Sequence, residues 1–153
     1  MHRTSSALRR SAVFVAACMV LTPAHAHVTI RPRESVAGAT EKYTMRVPNE
    51  KSVATVRIEV EFPSIVTISA IDEKPGWNLE QKKDASGKII GVTWSGSSIA
   101  PREVVEFTFV GRNPSEGAQI TWSVIQIYQD GSRSEWTGPQ GSRAPAPVTV
   151  LKK

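Results

Sequence analysis

Cysteine is nearly missing from this 153-residue chain, which has one, Cys18. Residues 27–153 therefore hold no cysteine, which excludes from them a disulfide framework, a thiolate zinc or iron–sulfur centre and a blue-copper site. Histidine is scarce as well: of three, His2 and His25 fall with Cys18 in the first 26 residues. No apolar run reaches the roughly 20 residues that a membrane-spanning helix needs; the segment SAVFVAACMVL at 11–21 has eleven. Excess charge is small once it is located. The formal +5 includes Arg3, Arg9 and Arg10, so residues 27–153 carry only +2 and contain no basic block. Nucleic acid is therefore not an expected partner.

Residues 1–26 have the composition of a cleaved secretory signal peptide. A basic start ends in Arg9-Arg10, an apolar stretch follows, and Ala24-His25-Ala26 closes it in A-x-A form. Cleavage after Ala26 leaves a periplasmic or secreted protein. A second processing site stays open: Val15-Ala16-Ala17-Cys18 resembles a lipoprotein box, which would make Cys18 a lipidated first residue.

Residues 27–153 suffice for one domain. Val56, Ile58, Val60 and Phe62 alternate with Arg57, Glu59 and Glu61, the period of a strand with one buried face. Tyr43, Met45 and Val47 repeat the pattern, as do Ile90, Val92 and Trp94, then Val105, Phe107 and Phe109. From Ile120, Trp122 and Val124 the pattern changes phase at Ile125 and Ile127, which suggests a bulge or a strand buried on both faces. Trp77, Trp94 and Trp122 read as core. Turn signals separate the runs, among them Pro48-Asn49, Ala100-Pro101, Asn113-Pro114 and the hairpin dipeptide Asp130-Gly131. Ala144-Pro145-Ala146-Pro147 leads into a last strand, Val148–Leu151. The pattern predicts an all-β fold: an antiparallel β-sandwich of seven to nine strands, immunoglobulin-like or cupredoxin-like.

Cleavage after Ala26 makes His27 the first residue and the sole histidine of the mature chain. An N-terminal histidine offers two nitrogen donors, the α-amine and ring Nδ1, which close a six-membered chelate on one metal ion. Such donors suit Cu(II), which prefers tetragonal nitrogen and oxygen ligands, and protons compete for them near neutrality. Otherwise His27 is simply the first residue of a frayed end. One histidine cannot assemble a two-histidine brace of the polysaccharide-monooxygenase kind. Thr29 at the third mature position excludes the amino-terminal motif with histidine third, and Met45 alone makes no thioether cluster for Cu(I). A carboxylate, carbonyl or water has to complete any metal site.

The segments HVTIRP (27–32), AGATEKYTMRVPNEK (37–51), PGWNLE (75–80), VTWSG (92–96), YQDGSRSEWTGP (128–139) and APAPVTVL (144–151) occur in one order across nearly the whole mature chain. In these the chain resembles the YcnI-like family of bacterial copper-binding domains. The resemblance implies a β-sandwich that holds Cu(II) by a single-histidine brace. In it the N-terminal histidine gives amine and Nδ1, a glutamate adds oxygen, and a tryptophan lies close to the metal. Carried over by motif, these are His27, Glu50 and Trp136. Glu103, Glu106 and Glu135 are alternative carboxylates, with Glu106 on an ordinary polar face. Trp136 is expected to cover the metal rather than ligate it, since an indole nitrogen only donates. Some relatives end in a membrane helix; here the sequence stops at Lys153, so no membrane anchor is expected.

The leading expectation is an exported copper-binding protein, not an enzyme, that stores Cu(II) or exchanges it with other exported copper-handling proteins. An open site leaves room for a second copy, a homodimer in which two His27 residues meet. Two alternatives stand beside it: a copper-dependent redox enzyme, and a metal-free adhesion or carbohydrate-binding sandwich with an exposed tryptophan as platform.

Overall fold

The computed structural model describes residues 26–153; the expected signal peptide, with Cys18 and the two alternative processing sites, lies outside the described residues apart from Ala26. Twelve strands and no helix occur among those residues. The first four-stranded sheet runs β1 (Thr29–Arg31), β3 (Thr40–Pro48), β8 (Val104–Arg112), β5 (Thr67–Ile71). The five-stranded sheet runs β11 (Arg133–Trp136), β10 (Ser123–Tyr128), β4 (Thr55–Glu61), β7 (Ile89–Ser95), β6 (Asn78–Lys83). A small third sheet joins β2 (Glu34–Val36), β12 (Val148–Lys152) and β9 (Gln119–Thr121).

The inward positions of these strands make one core. Tyr43, Met45, Val47, Phe107 and Phe109 from the first sheet meet Ile58, Val60, Val92, Trp94 and Val124 from the second. Aromatic rings join the layers: Trp94 to Phe107 at 4.6 Å, Tyr43 to Trp122 at 4.8 Å and Phe62 to Phe109 at 5.1 Å between centroids. Trp94 and Trp122 are fully buried, whereas Trp77 is only half-buried, edge-on to Phe107. Large rings that meet at an angle bury much apolar area and add about 1 kcal/mol each beyond it.

Three expectations need correction. The strand count exceeds seven to nine because β1, β2 and β9 have only three residues each, too few to display a period. The sandwich is not wholly antiparallel, since β2 and β12 pair in parallel. The phase change at Ile125 and Ile127 does not occur. Ile120, Trp122, Val124, Gln126 and Tyr128 all point inward in unbroken alternation, while Ile125 and Ile127 are half-buried on the other face. A polar residue, Gln126, sits at an inward position and disguises the period. An irregularity does lie nearby: the pairing of β10 with β4 shifts between Ile127 and Tyr128. That bulge turns Thr55 inward in place of Val56, which is half-buried.

Candidate functional site

At one end of the sandwich, His27, Glu50 and Trp136 line a single cleft of about 560 Å³. Each arrives by a different element. His27 precedes β1, and the neighbours that anchor it, Val28 and Ile30, are buried at 2% and 1% exposure. Glu50 lies on the β3–β4 loop, with its side chain in solvent. Trp136 ends β11, the return strand of the Asp130-Gly131 hairpin, and is 7% exposed.

The β3–β4 loop is fixed by Asn49, itself buried. Its side-chain amide donates to the carbonyls of Val53 and Ile99, both at 2.9 Å, and its oxygen accepts from the Lys51 amide at 3.0 Å. Its backbone binds the β7–β8 loop through Glu103 and Arg102. Arg102, at φ 68°, sits in the left-handed region, so this contact holds a backbone conformation that a non-glycine residue disfavours. The backbone N–H of Ala26 donates to the Glu50 carboxylate, which places that carboxylate beside the residue that precedes His27. Lys51 lies 3.9 Å above the Tyr128 ring and donates to Ser132 Oγ at 3.1 Å. Burial pushes the Tyr128 phenol above its ordinary pKa; the Ser134 hydrogen bond opposes this, and the charges of Glu50 and Asp130 add to it.

Trp136 meets His27 edge-on, with centroids 5.7 Å apart and planes at 64°. Its indole N–H points the other way and donates to Gln126 Oε1 at 3.1 Å. Gln126 is fully buried and its amide donates to Pro48 O at 3.0 Å and to Thr55 Oγ1 at 2.7 Å. One buried amide thus ties the tryptophan to the strand end from which Glu50 follows. With its only donor committed, the indole presents carbon to the histidine.

Of the alternative carboxylates, only Glu135 lines this cleft, next to Arg133 at 3.3 Å. Glu103 accepts from the Ala100 amide within its own turn, and Glu106 lies opposite Arg46 across the β3–β8 pair. Among the described residues no three His, Cys, Asp or Glu side chains gather as a metal cluster. The sequence did not single out Gln126, Asn49, Lys51 or Tyr128; a lone glutamine between Ile125 and Ile127 reads as an outward residue, and its burial is evident only in the structure.

Fold and site together define an immunoglobulin-like sandwich domain with a histidine, a glutamate and a shielded tryptophan at one end. The family described as a domain of unknown function, DUF1775, matches residues 27–152. The chain belongs to this family, which is the YcnI-like family that its motifs resemble. A curated relative, the copper-binding protein CutI of Bacillus subtilis (strain 168), is 37% identical over 131 residues, or 84% of this chain and 64% of that protein. The chain therefore spans just under two thirds of that relative's length. Among solved structures, an uncharacterized Nocardia farcinica protein with an immunoglobulin-like fold matches at a TM-score of 0.74 and 26% identity. That match covers 83% of this chain and 99% of the other. A non-cellulosomal cohesin from Archaeoglobus fulgidus matches at 0.50 and 8% identity, over 83% and 91% of the two chains; it shares the fold alone.

Proposed function

We propose that this is an exported copper-binding domain, a carrier rather than a catalyst. In this reading residues 1–26 are a cleaved leader and residues 27–153 the working domain. His27 supplies the amine and Nδ1 to Cu(II), Glu50 adds an oxygen, and Trp136 shields one side without ligating. The observation that carries it is the convergence of His27, Glu50 and Trp136, far apart in sequence, on one cleft. The relative described as a copper-binding protein supports the choice of metal. The donor set fits too: imidazole, carboxylate and a freed amine are nitrogen and oxygen ligands of the kind Cu(II) favours. Copper here is cargo. Two side chains leave coordination positions open to water or to a partner's ligand, and an open site exchanges metal.

The test uses protein exported and processed to begin at His27, titrated with Cu(II) in competition with a chelator of known affinity. Affinity is expected to fall at least about 100-fold in His27→Ala and in protein with a methionine added before His27, and less in Glu50→Gln. Equal affinity in all four proteins refutes the reading.

A further inference from the structure

The charge left on the mature domain is not evenly spread. Three clefts meet at His27, and they are lined by Arg31, Arg33, Arg46, Lys51, Arg133 and Arg143. The only acids lining them are Glu50 and Glu135. That end of the sandwich therefore carries four net positive charges, while residues 27–153 together carry two, so the rest of the surface is net negative. The six cations come from β1 and the turn after it, from β3, from the β3–β4 loop, from β11 and from the 137–147 segment. No one element's composition accounts for the cluster. Of these six, Arg133 alone has a carboxylate of the described residues within ion-pair distance; Arg31, Arg33, Arg46, Lys51 and Arg143 have none there. Further acids around this end are Glu106, opposite Arg46, Asp130, whose charge the Ser132 hydrogen bonds and Lys51 stabilise, Glu103, whose carbonyl accepts from the Asn49 amide, and Glu34, which pairs with Lys152. With Glu34 offset by Lys152, counting the other three still leaves the end positive.

We infer that this cationic end is a docking surface for an acidic protein that delivers or receives the copper. A face of this sign disfavours the approach of a free copper dication and favours an anionic carrier surface. Clefts lined by one sign of charge raise the association rate of the opposite sign by ten- to a thousandfold, and salt abolishes the gain. The surface thus selects how copper arrives: handed over by an acidic partner rather than captured from solution. This rests on the reading above only for the identity of the cargo.

The probe is a synthetic twelve-residue peptide of aspartate and glutamate carrying an N-terminal Gly-Gly-His copper motif, with a lysine-rich peptide of the same design as its control. Binding of the labelled, copper-free peptides is measured by fluorescence anisotropy. Copper transfer from the loaded peptides is followed by quenching of protein tryptophan fluorescence in a stopped-flow instrument. The acidic peptide should bind at low salt and transfer copper about tenfold or more faster than the basic one, with the difference lost near 0.5 M NaCl. The triple variant Arg31→Gln, Arg46→Gln, Arg143→Gln should lose most of that preference at an unchanged thermal midpoint, since all three side chains are exposed. Equal binding and equal transfer for the two peptides overturns the inference. So does binding to anionic phosphatidylglycerol vesicles with none to the acidic peptide, which would make the face a membrane surface. If copper uptake proves independent of His27, the proposed function fails, while the copper-free binding still decides this surface.

Discussion

Gln126 is the residue on which the site's geometry turns. Its amide satisfies three buried groups at once, the Trp136 N–H, the Pro48 carbonyl and the Thr55 hydroxyl. A buried donor or acceptor stripped of its partner costs about 1–3 kcal/mol. Gln126→Leu should therefore destabilise the domain by about 3 kcal/mol, seen as a lower urea midpoint with unchanged slope. Combining it with Trp136→Phe removes the orphaned indole N–H along with its acceptor, so the double variant should be more stable than the sum of the single losses by about 1 kcal/mol or more. Strict additivity would mean that the bond does not hold the indole in place. His27, Glu50 and Trp136 were legible in the sequence because each sits in a recognisable motif, and the structure brings them to one cleft. Gln126 was not legible. A lone glutamine between two isoleucines looks like the outward residue of a strand, and only the neighbouring donors and acceptors reveal that it faces in.

Among the elements, the β10–β11 hairpin matters most because it carries Trp136. Its turn follows from two residues: Asp130 accepts from the Ser132 amide and hydroxyl at 3.0 and 2.6 Å, and Gly131 takes φ 80°. No atom lies within 4 Å of where a Cβ on Gly131 would stand. Substitution there is opposed by backbone conformation rather than by space. Gly131→Ala should cost about 1 kcal/mol and Gly131→Asn clearly less, because asparagine tolerates the left-handed region. Chemical denaturation of both variants separates the two causes, and equal costs would point to a lost contact instead. This turn, like the long alternating strands β3, β4 and β8, was readable from composition and period. The three-residue strands and the parallel β2–β12 pair were not, since their partners are set by where the chain ends meet in space.

The whole molecule has two unlike ends. Away from the cationic cleft, a hydrogen-bonded chain of Tyr43, Asn113, Ser35 and Glu41 closes the core: the Tyr43 hydroxyl donates to Asn113, whose amide donates to Ser35 Oγ at 2.9 Å, and Ser35 Oγ donates to the Glu41 carboxylate at 2.8 Å. Burial, reinforced by the charge of Glu41, pushes the Tyr43 phenol up to about 12. An unfolded chain releases that proton near pH 10 and the folded one only near 12, so in this window the unfolded state binds fewer protons and stability falls as pH rises. Below pH 10 the contribution is complete. Urea midpoints measured from pH 9 to 12 should decline more steeply for the natural chain than for Tyr43→Phe; parallel declines would show that Tyr43 is not the titrating group.

The first strand has a consequence for binding thermodynamics. Val28 and Ile30 are buried, and Thr29 pairs with Arg46, so the backbone that follows His27 is held in place by the fold itself. Fixing one residue's backbone costs about 1–2 kcal/mol of conformational entropy. Here folding has met that cost before any ligand arrives. Whatever His27 binds is met by an oriented donor, and the free energy of its capture goes into affinity rather than into ordering a chain end.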